Sequence, residues 1–541
     1  MRKNDIVELN ITDTTAEGSG VGRDGGMVVF VPGAFTGDVL RARIIKCTKK
    51  YCVGRIEELL SPSKNRVAVC CNAFPACGGC MFPHVSYQAE LDMKRRWVEE
   101  NFRRIGGVEI AAERVVPSPL TEGYRNKGVY PLALDPNGNV RAGFYARHSH
   151  RIAGTPECAL HPAFFGDIVK EISAFLQCEH ISIYDETSGE GLARSIFLRY
   201  GEASGETLVC LVVNGDGISG EERLAERLQR FPQVSGLVIN VNTASGNALL
   251  GPKCRTVWGK GVVTDELCGL SFDIAPTAFY QVNRRGAELL YGIAAEYAAP
   301  EGGLLIDLYC GAGTIGLSMA SRAGRVIGAE IVPSAVENAR ANALRNGIAN
   351  AEFILADATD AARELERRGE RPDVVVLDPP RAGCDAGVID AVANMAPRRV
   401  VMVSCNSATA ARDTALFISR GYLPRRLTVV DMFPRTGHVE TVVLLSKGEI
   451  DSKKVRVEFS LENMDMSGFQ KGATYPQIKE YVQEHSGLKV SSLYISQVKR
   501  KCGLDVGQNY NLSKKEGAKQ PQCPPDKEKA ITEVLQHFGM V

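Results

Sequence analysis

No stretch of the 541-residue chain reaches the roughly 18 uninterrupted apolar residues that a membrane-crossing helix needs. A helical membrane protein is therefore excluded. The opening MRKNDIVELN has no apolar segment of the kind that marks a secretory signal. The expected compartment is the cytoplasm, where thiols stay reduced, so the 16 cysteines are not expected to form a disulfide framework. Metal ligation, catalysis and core filling are the uses left to them. An excess of one charge is also missing: 64 Lys and Arg against 63 Asp and Glu leave a net +1. Any surface for a polyanion has to come from local segregation of charge. Internal repeats are absent, which argues against a solenoid. No segment reads as an oligomerisation element, and a monomer is expected.

What is present is ordinary in bulk and specific in detail. A chain this long exceeds one hydrophobic core and predicts three or four domains. Residues 1–59 alternate in short β-like runs (DIVELNIT, MVVFVPGAF, VLRARIIK, YCVGRIEEL) with glycine-rich turns, the pattern of a small barrel. Arg41, Arg43, Lys46, Lys49, Lys50 and Arg55 would give that barrel a basic face, or would merely protect exposed strand edges. Residues 85–105 read as an amphipathic helix within a central, strand-rich region of 60–275. From 276 to 448 strands and helices alternate, the signature of βαβ units on a parallel sheet. The rhythm ends near 448. In the remaining 449–541, Thr474 and Gln477 form a candidate capping box before a helix with Ile478, Tyr481 and Val482 on one face. A second helix ends in Lys499-Arg500-Lys501, which is either an accessory RNA contact or the usual enrichment of cations at a helix C-terminus. The predicted class is multidomain α/β.

Three sets of residues carry chemistry. GLLIDLYCGAGTIGLSMA is a strand, a turn with Gly311, Gly313 and Gly316, and a helix start, and Glu330 ends the next strand. Such a loop lets backbone approach a ligand closely while the carboxylate binds ribose hydroxyls. It fits a nicotinamide cofactor as well as S-adenosylmethionine. PDVVVLDPPRAG ends a strand on Asp378-Pro379-Pro380, and VVMVSCNSATAARD ends another on a thiol, Cys405. The third set is Cys71, Cys77 and Cys80, with Cys158 far downstream. Spacing alone leaves a four-thiolate zinc site and an iron–sulfur cluster equally open. Cys502 and Cys523 lack metal-ligand spacing.

DLYCGAGTIGL, LDPPRAG, VSCNSATAARD and FPRTGHVETVVLL, in that order and preceded by PTAFYQVN, resemble the bacterial RNA uracil-5-methyltransferases. The resemblance runs through nearly all of residues 1–446. It implies S-adenosylmethionine as methyl donor, held at Gln281, Tyr309, Glu330 and Asp378, with Cys405 as nucleophile and Glu440 as base. Phe279 would stack on the flipped uracil. The chemistry requires such a set. C5 of uracil is a poor nucleophile until a thiolate adds to C6, and a base must later remove the C5 proton. An ordinary thiol is only a few per cent ionised at neutral pH, so a neighbouring cation is needed, with Arg381 and Arg412 as candidates. The barrel resembles the TRAM domain, an RNA-binding module in which Phe30, Phe35 and Tyr51 could stack on bases or belong to the core. Members acting on ribosomal RNA carry a [4Fe–4S] cluster on a pattern that falls on Cys71, Cys77, Cys80 and Cys158. Relatives acting on tRNA lack the cluster and the barrel. The expected substrate is therefore a loop uridine of 23S ribosomal RNA. Alternatives are the same chemistry on tRNA uridine or on cytosine, an RNA-binding assembly factor, and an NAD-dependent oxidoreductase.

Overall fold

A computed structural model describes residues 1–147, 149–246, 248–447, 475–486, 488–502, 504 and 523–537. The chain divides into two units, Met1–Asp451 and Ser452–Val541. Among the described residues no helix is long and apolar enough to cross a membrane.

The first unit begins with a six-stranded sheet in the order Ile6–Asn10, Val39–Cys47, Tyr51–Ser61, Met27–Pro32, Ser19–Asp24, Asp13–Thr14. Period-2 alternation turns Leu40, Ala42 and Ile44 inward with Val29, Val31 and Cys52, while Arg41 and Arg43 face out. The outward arginines are not a free basic face. Arg41 pairs with Glu58 and Arg43 with Glu57, so much of their charge is neutralised within the sheet. Phe35 is buried with Phe82, Val85, Ala89 and Met93 and is core, not a stacking platform. Phe30 and Tyr51 lie edge to face at 5.6 Å, with Tyr51 exposed. Cys47 and Cys52, paired across the hairpin, form a disulfide that the compartment argument did not anticipate.

The amphipathic helix spans Tyr87–Arg104. Its inner face holds Leu91, Met93, Val98 and Phe102, and it also buries two charged residues, Glu90 and Lys94. One side meets the barrel, where Trp97 Nε1 donates to the Thr14 carbonyl at 2.9 Å. The other meets the catalytic sheet, where Asn101 Nδ2 donates to Ser407 Oγ at 2.8 Å.

The central region contains a mixed six-stranded sheet, ordered Lys253–Gly259, Val234–Val241, Thr207–Val213, Ala193–Tyr200, Lys127–Leu134, Val140–Ala142. The helices Phe164–Cys178 and Glu221–Leu228 contribute to its hydrophobic core.

The last sheet of this unit has eight strands in the order Ala351–Leu355, Arg325–Glu330, Leu304–Leu308, Val374–Leu377, Arg399–Ser404, Glu440–Lys447, Tyr422–Val430, Arg114–Val116. The first five are parallel, and Glu440–Lys447 pairs antiparallel with both of its neighbours. The run VVVL at 374–377 is wholly buried, as expected of a strand covered on both faces. Strand order reverses at Leu304–Leu308, and open α/β sheets bind ligands in the crevice beyond the carboxyl ends of the strands at such a point. Arg114–Val116, from far up the chain, is the outermost strand.

In the second unit the helices Tyr475–Ser486, Ser492–Lys501 and Pro525–His537 share a core of Ile478, Val482, Ile495, Val498, Ile531 and Leu535. Ser491 caps the middle helix by accepting from Tyr494 N at 3.3 Å, and Lys501 pairs with Glu528. Thr474 lies outside the described residues.

Gly437 shows how tightly the barrel seats on the loop before Glu440. A Cβ there would lie 1.9 Å from the Ala16 carbonyl oxygen. Gly437→Ala is expected to destabilise the first unit by about 1–3 kcal/mol, read as a lowered thermal unfolding midpoint. An unchanged midpoint would contradict this packing.

Candidate active site

The crevice is built from strand ends. Leu304–Leu308 runs into Tyr309, which takes the left-handed conformation at φ 68°, followed by Gly311 at 56° and Gly313 at 81°. The turn is fixed from below. Asp307, buried under the loop, accepts from Gly316 N at 2.8 Å, and a Cβ at Gly316 would lie 2.9 Å from the same carboxylate. The other carboxylate oxygen of Asp307 has no hydrogen-bond partner, and burial pushes its ionisation up to about 7. Sequence reading passed over Asp307, although an acidic residue inside an otherwise apolar strand, four before the first glycine, was a usable signal.

Glu330, ending Arg325–Glu330, accepts from Gly311 N at 3.0 Å and from Val332 N at 2.9 Å. Gln281 lies within hydrogen-bonding reach of the buried Tyr291 hydroxyl, which also meets Thr314 Oγ1 at 3.2 Å. Asp378 follows Val374–Leu377, and burial pushes its ionisation up to about 7. The Tyr309 side chain faces Cys384 and the carboxylates of Asp385 and Asp357. Tyr309, Glu330 and Asp378 thus stand at adjacent strand ends.

Cys405 is half-buried directly after Arg399–Ser404. That strand pairs antiparallel with Glu440–Lys447, Ser404 opposite Thr441, and Thr441 Oγ1 donates to the Ser404 carbonyl at 3.1 Å. The ladder ends at that pair, and Cys405, the next residue, lies close enough to Glu440, the first residue of the partner strand, for their charges to interact. Burial, followed by the charge of Asp378, pushes Glu440 up to about 8, and Arg381 opposes this. Burial also raises the Cys405 thiol, as do the charges of Glu440 and then Asp378, while the Arg381 charge and a hydrogen bond from it act the other way. Of the two candidate arginines, the structure therefore puts Arg381 at the thiol. Arg412 has a different job. It donates to the carbonyls of Ala382 at 2.9 Å and Cys384 at 3.2 Å, and its partner Asp413 accepts from Cys384 N at 2.7 Å. This braces the loop that carries Asp378 and Arg381. Asn406 caps the following helix, accepting from Ala408 N at 3.1 Å, and its amide donates to the Arg381 carbonyl at 3.0 Å. Phe279, in the loop before helix Arg284–Ala298, is a large apolar side chain left 74% exposed.

The cysteines of the third set also come together. Cys71, Cys77, Cys80 and Cys158 line one cavity of about 390 Å³, together with Arg125 and Lys127. All four thiols are free, and the adjacent Cys70 is exposed and not part of the cavity lining. Burial, then the charges of Cys158, Cys77 and Cys71, push Cys80 up to about 12. Among the described residues no group of three or more His, Cys, Asp or Glu side chains is placed to hold a metal ion, so the expected iron–sulfur cluster is not shown by this arrangement.

A doubly wound sheet with a glycine loop and a carboxylate at its switch point, and a thiol at a neighbouring strand end, has the architecture of an S-adenosylmethionine-dependent methyltransferase, and the comparisons with known proteins carry that class. Residues 269–448 match the family model described as tRNA (Uracil-5-)-methyltransferase, and residues 2–56 match the TRAM domain. An uncharacterized RNA methyltransferase of Halalkalibacterium halodurans is 38% identical over 82% of this chain and 98% of its own. One from Clostridium tetani is 36% identical over 82% and 97%. Among solved structures, the tRNA (uracil-54, C5)-methyltransferase of Pyrococcus abyssi, in complex with S-adenosyl-L-homocysteine, superposes with a TM-score of 0.66 at 27% identity. That likeness covers 81% of this chain and 99% of that one. The chain belongs to the TRAM-containing RNA uracil-5-methyltransferases.

A base must be ionised to accept a proton. With Glu440 raised to about 8, any step that uses it should speed up about tenfold per pH unit below that value and level off above it. A rate for release of product from the enzyme that is flat from pH 6 to 9 would exclude Glu440 from that step.

Proposed function

We propose that this enzyme methylates C5 of a uridine in 23S ribosomal RNA through a transient bond between Cys405 and C6, acting as a monomer. One observation carries the reading: a thiol and a buried carboxylate lie close to each other at the end of one antiparallel ladder, beside Arg381. Bound at Gln281, Tyr309, Glu330 and Asp378, S-adenosylmethionine supplies an electrophilic methyl group. Arg381 favours the Cys405 thiolate, whose sulfur adds to C6 and leaves the C5–C6 electron pair on an enolate. C5 then takes the methyl group with that electron pair as the methyl–sulfonium bond breaks, leaving S-adenosyl-L-homocysteine. Glu440 removes the C5 proton, the electron pair re-forms the double bond, and the C6–S bond breaks to return the thiolate. Exposed Phe279 supports a target base turned out of its stack, which an enzyme acting on ring carbons requires.

The four-thiol cavity supports an iron–sulfur cluster held by Cys71, Cys77, Cys80 and Cys158. Arg125 and Lys127 in the lining offset thiolate charge. The Pyrococcus abyssi enzyme, named for tRNA, aligns with 81% of this chain, a span too long to leave out the barrel, so the barrel does not separate the two substrates and the ribosomal RNA reading rests on the resemblance of the cysteine pattern.

Radiolabelled methyl from S-adenosylmethionine is expected to enter 23S RNA transcripts and not tRNA transcripts. Label in tRNA alone would overturn the substrate assignment. Cys405→Ala should abolish both transfer and the covalent complex with 5-fluorouridine-containing RNA. Glu440→Gln should still form a complex with unmodified RNA while turnover falls roughly 10²- to 10⁴-fold.

A further inference from the structure

Glu440 is aimed by the nine residues before it. Val430 pairs with Glu440 across the sheet, so residues 431–439 form a loop that leaves the ladder and returns to it at the base. The loop has no regular structure of its own, and five consecutive residues are held from outside. Asp431 N donates to the Val116 carbonyl at 2.9 Å, Asn283 Nδ2 donates to the Met432 carbonyl at 2.9 Å, and the Tyr124 hydroxyl donates to the Pro434 carbonyl at 3.0 Å. The Arg435 carbonyl accepts from Met81 N at 2.7 Å and Phe82 N at 3.0 Å.

Further grips come from Glu90 and Lys94 on the Tyr87–Arg104 helix, beside the bond from Arg435 Nη1 to the Val85 carbonyl at 2.9 Å. Lys94 Nζ donates to Asp431 Oδ1 at 2.8 Å and to the Phe433 carbonyl at 3.2 Å. It also pairs at 2.8 Å with Glu90 one helical turn earlier, whose carboxylate accepts from Arg435 N at 2.7 Å. Lys94 and Glu90 have no solvent exposure and Asp431 almost none. Buried ion pairs add little stability over well-packed apolar residues, because desolvation offsets their attraction. What this network supplies is direction. An ammonium with three donors and a carboxylate with two acceptors fix residues 431, 433 and 435 against a rigid helix, at bond distances an apolar contact does not define.

We infer that Lys94, with Glu90, is a positioning residue for the Glu440 base, and that it serves the removal of the C5 proton and not the formation of the thiol adduct. Cys405 is set by its own strand and by the Asn406-capped helix, which the Tyr87–Arg104 helix meets through Asn101 and not through the Lys94 bonds. Loosening the loop should therefore leave the sulfur free to add to C6 and C5 free to take the methyl group. It should impair only the last step, in which Glu440 takes the C5 proton, the pair re-forms C5=C6 and the C6–S bond breaks. This inference rests on the covalent mechanism proposed above.

The test separates the two halves of the cycle with two RNAs. On 5-fluorouridine RNA, where C5 carries no proton to remove, Lys94→Met is expected to form the covalent complex at the wild-type rate. On unmodified RNA the same variant should accumulate a methylated covalent complex whose breakdown is slowed on the order of 10²-fold, the scale expected of a base misplaced by about 1 Å. If Lys94→Met does not fold, the combination Glu90→Gln, Lys94→Met and Asp431→Asn, which strands none of these three charges, carries the same expectation. Equal slowing of complex formation and breakdown, or no accumulation on unmodified RNA, would overturn the inference. A wild-type enzyme that forms no covalent complex with either RNA would instead overturn the mechanism beneath it.

Discussion

In the ladder between Arg399–Ser404 and Glu440–Lys447, hydrogen bonds run on from Arg399 opposite Ser446 to Ser404 opposite Thr441. Just past that pair lie the only two protein groups that the proposed cycle asks to bond and to take up a proton. A one-residue slip would turn every side chain of one strand to the other face and would separate thiol from carboxylate. Both faces of these strands are apolar, with Val400, Met402, Val443 and Leu445 on one and Val401, Val403 and Val442 on the other, so alternation does not set the register, whereas the bond from Thr441 Oγ1 to the Ser404 carbonyl is specific to it. The antiparallel strand is thus more than an extension of the parallel sheet. A parallel neighbour would have brought its amino end to the far edge, away from the crevice.

The crevice is poor in cations. Asp307, Asp378 and Glu440 are all buried near the strand ends with their ionisation raised to about 7, 7 and 8, against the single guanidinium of Arg381. Burial raises all three, and neighbouring carboxylates add to the rise for Asp307 and Glu440. A positively charged sulfonium is the complement of such a site, and its arrival would favour their ionised forms.

The parts legible in the sequence were those written locally. The glycine turn, the Asp378-Pro379-Pro380 strand end and the strand-to-thiol junction at Cys405 each occupy a dozen residues or fewer, and alternation marked the barrel and the βαβ rhythm. What could not be read were relations across the chain. Nothing local distinguishes Arg381, which reaches the thiol, from Arg412, which braces its loop. Phe35 and Tyr51 look alike as aromatics in a β-rich segment, yet one is core and the other exposed. Arg41 and Arg43 suggested a basic face because Glu57 and Glu58, their partners, lie on the returning strand. Lys94 read as one more charge on a helix of charges, and only the fold turns it inward.

Arg114–Val116 and the Tyr87–Arg104 helix, both made early, are built into the sheet and loop that complete the crevice. Lys94 and Asp431 stand 337 positions apart. During synthesis the amino-terminal barrel can close as soon as it emerges, but the base cannot be oriented until the chain has been extended past residue 440. A nascent fragment would thus hold an RNA-binding module well before it could modify anything. For the same reason, no cut between residues 116 and 422 yields a self-sufficient catalytic half: an exchange of modules between relatives at residue 276 would transplant a sheet that still needs its outermost strand from the other parent.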